Sequence, residues 1–215
     1  MNKTWSNMNK EANDLLKKEA TFPQGIKKLI ELRDLLFKTW ISEMKNLSKD
    51  DYSKQPYVNH KGFESKTIAY SIYHVFRIED IVLNTLILNN KQIFFCDGFD
   101  KKINSKIFTT GNELFKEEIE EFSLKLNIQE LWNYCEDVYK ASNSWLKTLT
   151  YKDSKKTFCE IDKQRIIATE CVSKSEEWLI DYWCSKNIKG LIGMPFSRHW
   201  IMHLEASLRI KGKIV

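Results

Sequence analysis

Apolar residues recur every three or four positions along several long stretches of the chain, the pattern of helices that bury one face. The first stretch predicts a helix from about Pro23 to Met44, with the proline in the first turn, where it removes no hydrogen bond. A second stretch predicts a helix over about residues 64–88, followed by an irregular region over 89–105. Residues 1–20 predict a shorter helix that leads into the first long one.

Signals for helix starts divide the second half of the chain. Thr110 and Glu113 have the spacing of a capping box and predict a short helix from Glu113 to about Leu124. Asn127 and Glu130 repeat that spacing at the start of a long helix. The helices predicted from this point onward cover about residues 127–149, 175–185 and 196–210.

Breakers are rare, with 7 Gly and 3 Pro in 215 residues, and this favours long helices over a many-stranded sheet. We therefore predict an all-α fold. No internal repeat or linker divides the chain, so one domain over 1–215 is expected, with a lead-in helix over 1–22 and a core over about 23–211. Four long helices and a long crossover between the second and third predict a four-helix bundle with additional short helices.

Charge and composition exclude several classes of protein. The net charge is +5, but Lys and Glu alternate along the predicted helices, so no basic patch for nucleic acid is expected. No apolar run approaches the roughly 20 residues that span a bilayer, and no signal peptide is evident. The five cysteines form no Cys-x-x-Cys pair and are interpreted as small buried side chains. A cytoplasmic protein without a membrane or nucleic-acid partner is expected.

The four histidines carry the candidate chemistry. His199 and His203 are four residues apart, which places both imidazoles on one face of a helix. His74 lies within the apolar stretch 68–88, where a buried imidazole needs a partner. That partner is either a backbone carbonyl or a metal ion shared with the other two histidines. His60 lies in a polar stretch and is interpreted as a surface residue.

These residues resemble a known family. The segments 72–80, around His74, and 196–203, around the His-x-x-x-His pair, are similar to the histidine regions of the DinB superfamily. The resemblance implies a four-helix bundle with a divalent metal on His74, His199 and His203. Imidazole ligands suit zinc, nickel, copper and iron, and zinc or nickel is expected here. It also implies transfer of a low-molecular-weight thiol such as bacillithiol or mycothiol to an electrophilic small molecule.

Helical geometry adds candidates around the metal. At 100° per residue, Tyr70 and Arg77 lie within about 60° of His74 and are candidates for binding a substrate, although a packed Tyr and an outward-pointing Arg are the alternative. Glu79 and Asp80 point away from His74, and Glu205 lies on the opposite face from His203. No carboxylate is therefore placed to activate water, which weighs against a hydrolase.

Three functions remain open on the sequence alone. The first is a metal-dependent thiol transferase, for which no catalytic residue beyond the metal ligands is identified. The second is a metal-dependent hydrolase of a small substrate, and the third is a non-catalytic helical bundle that binds a metal or ligand. Trp200 and Met202, between the paired histidines, are interpreted as packing residues, and a homodimer is expected from the frequency of such pairs among single-domain enzymes.

Overall fold

The computed structural model describes residues 2–57 and 65–215, and in these residues it contains helices and no β-strand. The all-α prediction is confirmed. The α-helices are α1 Lys3–Leu15, α2 Phe22–Met44, α3 Ile68–Asp80, α4 Ile93–Cys96, α5 Phe99–Lys102, α6 Glu117–Lys125, α7 Ile128–Thr148, α8 Glu160–Ile167, α9 Trp178–Cys184, α10 Ile188–Ile192 and α11 His199–Ile214. Two π-helical segments, Ile81–Ile87 and Met194–Arg198, continue α3 and lead into α11, and 3-10 turns lie at Glu19–Thr21, Asp153–Lys155 and Lys174–Glu176.

The four long helices α2, α3, α7 and α11 surround one core. Helix α2 packs against α7 and α11, α3 packs against the same two helices, and α1 lies on α2. Tyr52, just after α2, donates its hydroxyl proton to the Met44 carbonyl, accepts from Trp132 Nε1 and accepts at its carbonyl from the Ala69 amide. Helix α2 therefore ends where α3 and α7 begin, so α3 and α7 run parallel to each other and antiparallel to α2. The connection between them carries α4, α5 and α6.

Helix α11 runs in the same direction as α2. Near the middle of α2, Arg33 donates to the carbonyl of Phe196, which immediately precedes α11. Near the end of α2, Glu43 pairs with Lys211, in the last turns of α11, at 2.9 Å. These two contacts place the start of α11 beside the middle of α2, and therefore deep within the bundle.

The core is divided into two apolar clusters by a belt of buried polar residues. One cluster is rich in aromatic rings and includes Trp40, Phe76 and Trp200. The other is mostly aliphatic and includes Leu29 and Ile81. Along each long helix, buried polar residues lie at or next to the change from one cluster to the other: Arg33 on α2, Arg77, Glu79 and Asp80 on α3, Asn143 on α7, and Ser197 just before α11.

Arg33 and Glu79 form the centre of this belt. Both guanidinium Nη atoms bind the carboxylate, at 3.0 and 2.6 Å, and both side chains are completely buried. Arg33 Nε also donates to Asn143 Oδ1 at 2.8 Å, and Trp200 Nε1 donates to Glu79 Oε2 at 2.7 Å. The four residues come from α2, α3, α7 and α11, so one hydrogen-bonded network fixes all four helices relative to one another.

Several helix boundaries differ from the prediction. Helix α3 begins at Ile68, where the Thr67 side chain accepts from the amide of Tyr70, and not near residue 64. Asn127 caps α7 through the Glu130 amide, as predicted. The predicted capping box at Thr110 is wrong: the Glu113 carboxylate accepts from Thr109, and α6 begins only at Glu117.

The backbone explains the late start of α6. Gly111 lies in the left-handed region with φ of +79°, and Lys116, which precedes the first residue of α6, has φ of +43°. A right-handed helix cannot pass through such residues, so the segment between them forms turns. The capping spacing of Thr110 and Glu113 is therefore present in the sequence without a helix behind it.

The cysteines are partly misinterpreted from the sequence. All five are free, and Cys135 and Cys171 are buried while Cys184 is half-buried. Cys96 and Cys159 are exposed, so the expectation of burial is wrong for these two. Cys159 ends the loop before α8, and its amide donates to the Asp162 carboxylate at 2.9 Å. This residue therefore contributes to the start of α8 at the protein surface. Across 2–57 and 65–215, no helix has both the length and the apolar character needed to cross a membrane.

Candidate metal centre

The three predicted histidines meet inside the bundle. His74 lies in the middle of α3, and His199 and His203 lie one turn apart on α11, which packs against α3. One nitrogen from each imidazole lies within 4.8 Å of the others, and the Nε2 atoms of His74 and His199 are 3.2 Å apart. In the part of the chain that the structure describes, no Cys, Asp or Glu joins this group. The arrangement is a three-histidine cluster that could hold a metal ion.

A backbone contact fixes the orientation of His74. Its Nδ1 lies 2.8 Å from the carbonyl oxygen of Thr110. A carbonyl only accepts, so Nδ1 carries the proton and the lone pair of Nε2 faces the other histidines. The two partners that the sequence left open for His74 are compatible: the carbonyl takes one nitrogen and leaves the other for a metal. Metal-binding histidines commonly have such a partner on the second nitrogen.

Burial keeps the three imidazoles neutral. His74, His199 and His203 are 5%, 7% and 5% exposed. Burial lowers the pKa of His74 to about 4, against an opposing effect of the Thr110 carbonyl. Burial, together with the neighbouring imidazoles, also lowers the pKa values of His199 and His203 well below the ordinary value. Metal ligation requires unprotonated imidazole, so at neutral pH the cluster is in the form that binds a cation.

The donor set fits a divalent ion. Nδ1 of His199 and Nδ1 of His203 are buried and have no hydrogen-bond partner among the described residues. Apart from the imidazoles themselves, no donor in these residues bonds the lone pair of His74 Nε2. Two nitrogens at 2.0–2.1 Å from one tetrahedral ion are about 3.3 Å apart, close to the 3.2 Å between the two Nε2 atoms. The Nε2 atoms of His74 and His199 therefore lie at a spacing that suits one ion.

Tyr70, a predicted substrate-binding residue, borders the cluster. Its ring stacks on His74 with centroids 5.4 Å apart and planes 12° apart. Burial raises the pKa of the phenol, with Glu113 as the second cause, so the hydroxyl stays protonated. A side chain at Gly111 would place its Cβ 3.2 Å from the Tyr70 ring. Glycine at this position therefore meets two needs, the positive φ and the close approach to Tyr70.

Arg77, the second predicted substrate-binding residue, lies in a different environment. Its side chain is completely buried, and its Nη atoms donate to Asp80, Gln92, Tyr134 and the carbonyl of Phe108. No hydrogen bond links it to the three histidines. The alternative of an arginine that points outward is also wrong, because the guanidinium is enclosed by protein. Arg77 is therefore not part of the proposed substrate site.

The other described residues that the sequence singled out are not members of the three-histidine cluster. Glu79 and Asp80 bind Arg33 and Arg77, so neither is free to act at the histidines. Trp200 is buried and packs in the core as predicted, whereas Met202 is 43% exposed, which contradicts its interpretation as a packing residue. Glu205 accepts from the amide of Asn2. His60 lies outside the described residues.

Thr110 is the functional contact that sequence reasoning missed. A backbone carbonyl leaves no trace in the side-chain pattern, and the spacing of Thr110 and Glu113 predicts a helix cap instead. Gly111 was the available signal, because a glycine beside a polar turn indicates a left-handed residue and a close approach. No family model and no curated protein matches this chain. The resemblance to the DinB superfamily therefore depends on the histidine segments and on the order of the helices.

Proposed function

We propose that the chain is a DinB-like protein that binds one divalent metal ion, zinc or nickel, on His74, His199 and His203. The observation that carries this proposal is the convergence of three buried, neutral imidazoles whose nitrogens lie within 4.8 Å of one another. Three protein ligands leave coordination positions open, as catalytic metals require. The fixed tautomer of His74 supports the same conclusion, since its free nitrogen faces the site.

The reaction we propose is transfer of a low-molecular-weight thiol to an electrophilic small molecule. A bound divalent ion lowers the pKa of a thiol and polarises an electrophile. The thiol sulfur forms a bond to the electrophilic carbon, the leaving group departs with its bonding electrons, and the thiol proton passes to solvent. In this reaction His74, His199 and His203 hold the site, and Tyr70 offers a protonated hydroxyl beside it.

The histidine cluster itself contains no carboxylate, and this favours thiol transfer over hydrolysis. Metal-dependent hydrolases use a carboxylate or histidine to take a proton from water. Among residues 2–57 and 65–215, no carboxylate joins the histidine cluster. On α3, Glu79 and Asp80 are saturated with hydrogen bonds from arginine and neighbouring groups. On the crossover, Glu113 accepts from Thr109 through one oxygen, and its other oxygen is buried without a partner among the described residues. Thiol activation requires no such base, because the charge of the ion itself favours the thiolate.

Elemental analysis tests the metal centre directly. The purified protein and His74→Ala are loaded with zinc or nickel, dialysed and measured for metal per chain. About one ion per wild-type chain and none in the variant is the expected result. Tyr139→Phe is the control, because it removes a partly buried hydroxyl that binds Asp34 and leaves all three imidazoles in place. A wild-type protein that takes up neither metal would overturn the proposal.

A metal-loaded protein then permits a direct test of the reaction. Thiols of the glutathione, bacillithiol and mycothiol type are paired with electrophiles that carry a halide leaving group, and product is followed by mass spectrometry. The thioether is expected with wild type and not with His74→Ala. Ester and amide substrates are tested in parallel, and turnover of these without thiol would replace the transferase with the hydrolase.

A further inference from the structure

Successive backbone carbonyls of one crossover segment are bound by side chains of α3. We name this segment, residues 107–111, the carbonyl clamp. The hydroxyl of Tyr73 lies 2.9 Å from the carbonyl oxygen of Ile107 and 3.2 Å from that of Thr109. Tyr73 is itself completely buried, with its ring edge-on to Phe122. One rigid phenol therefore contacts two carbonyls of the segment.

Arg77 holds the carbonyl between those two. Its Nη2 donates to the oxygen of Phe108 at 2.6 Å and to Gln92 Oε1 at 2.8 Å. The guanidinium lies 4.1 Å from the centre of the Phe94 ring and pairs with Asp80 at 3.3 Å. An arginine fixed on so many sides keeps the segment at a set distance from α3.

The fourth carbonyl of the clamp belongs to the metal site. The oxygen of Thr110 accepts from Nδ1 of His74 at 2.8 Å, and the next residue, Gly111, packs on the Tyr70 ring that stacks on His74. Tyr73, His74 and Arg77 thus bind carbonyls 107 to 110 from one helix. The two carbonyls that precede Thr110 along the chain, those of Phe108 and Thr109, are bonded by Arg77 and Tyr73.

We propose that Tyr73 and Arg77 are positioning residues for the metal centre, acting through the carbonyl clamp on the tautomer and orientation of His74. The inference rests on the proposed metal-binding function. Neither residue touches the site; each places the oxygen that keeps the proton on Nδ1 and the lone pair on Nε2. Loss of such outer partners typically weakens metal affinity about 10- to 100-fold.

Tyr73→Phe is the most direct test, because it removes only the hydroxyl and keeps the buried ring. Tyr139→Phe is the matched control: it deletes a hydroxyl bound to Asp34, outside the clamp. A second clamp variant, Arg77→Met combined with Asp80→Asn, removes both members of the ion pair so that no single buried charge is left. If this double variant does not fold, Tyr73→Phe still decides the question.

Two measurements are made on each variant. The first is ¹⁵N NMR of the imidazoles in metal-free protein, which reports which nitrogen of His74 carries the proton. The second is the zinc Kd by competition with a chromophoric chelator. Expected for Tyr73→Phe are a loss of the pure Nδ1–H tautomer with faster exchange of that proton, and a zinc Kd raised about 10- to 100-fold. Tyr139→Phe is expected to match wild type in both.

The two proposals fail in distinguishable ways. A wild-type protein that binds no zinc overturns the metal centre, while the metal-free tautomer measurement still decides on the clamp. An unchanged His74 tautomer and an unchanged zinc Kd in Tyr73→Phe would overturn the clamp and leave the metal centre standing. An equal loss in Tyr139→Phe would overturn it as well, because the effect would then be a general loss of stability.

Discussion

Helix α3 contributes to two buried polar clusters that differ in how completely their atoms are bonded. In the Arg33–Glu79 network, both carboxylate oxygens and all three guanidinium nitrogens have partners. In the histidine cluster, built five residues earlier on the same helix, only Nδ1 of His74 has a partner outside the cluster among the described residues. Both are buried, yet one is complete and the other is not.

The difference indicates what each cluster is for. A buried polar group without a partner costs free energy, so natural cores bond nearly all of them. A saturated network needs nothing more and serves to fix the helices that contribute to it. Buried imidazoles that lie together and keep nitrogens without a partner indicate a site completed by something that binds. The two clusters also differ in charge, because the Arg33–Glu79 network is ionic while the imidazoles are neutral and available to a cation.

Removing one side of the saturated network is expected to have the largest effect. Arg33→Met leaves the Glu79 carboxylate buried without its countercharge, and such a change costs about 3–5 kcal/mol of unfolding free energy. Urea unfolding followed by circular dichroism measures it. Lys140→Met is the control, because the Lys140–Glu136 pair is exposed and its loss should leave the midpoint unchanged. A small effect of Arg33→Met would show that the network is dispensable for stability.

The histidine cluster is expected to make stability depend on pH. Burial lowers the pKa of His74 to about 4 in the folded protein, against about 6.5 when unfolded. Below pH 6.5 the unfolded state therefore binds more protons, and stability falls as the pH drops from 6.5 to 4. His74 alone accounts for about 3 kcal/mol of this loss. In metal-free protein, His74→Leu should lose correspondingly less stability over that range, measured by urea midpoints at pH 7 and 5; parallel curves would contradict the assignment.

Zinc should stabilise the folded protein only through the histidine cluster. At a free zinc concentration of 100 times the Kd, binding adds about 2.7 kcal/mol to the unfolding free energy of wild type. His203→Leu replaces a partly unbonded imidazole with an apolar side chain, so the metal-free variant is expected within about 1 kcal/mol of wild type, with no response to zinc. Thermal melts with and without zinc give both values. A zinc-induced rise in Tm that survives in His203→Leu would exclude this histidine as a ligand.

The contrast between the two clusters also marks how far the sequence could predict the molecule. The histidines were identifiable because an i,i+4 pair and a lone histidine in an apolar helix each pose a bonding problem that residue types alone reveal. The partners of Arg77 were not identifiable, because the helical rotation of 100° per residue gives the direction of a side chain and not the groups that it contacts. Its partners lie in the crossover, where Gly111 and Lys116 set the backbone and the helical pattern gives no information.

The smallest effect on stability is expected for Tyr70→Phe, which removes one hydroxyl beside the histidine cluster. Its oxygen has no hydrogen-bond partner among the described residues, so Tyr70→Phe should keep the stacking on His74, the zinc Kd and the stability. Tyr134→Phe makes the same chemical change, but its hydroxyl donates to Asp80 at 3.0 Å and accepts from Arg77 at 3.2 Å. That variant is expected to lose about 1–3 kcal/mol of unfolding free energy.

For activity the order of the two variants is reversed, because the loss is expected in Tyr70→Phe and not in Tyr134→Phe. If the Tyr70 hydroxyl binds the substrate, its loss removes one hydrogen bond of about 0.5–1.5 kcal/mol, which is a fall of about 2- to 10-fold in kcat/KM. The measurement is thioether formation by zinc-loaded Tyr70→Phe and Tyr134→Phe at a temperature where both are folded. An unchanged kcat/KM in Tyr70→Phe would limit Tyr70 to packing against His74. A fall with unchanged stability would show that an unbonded polar group beside the cluster serves the ligand and not the fold.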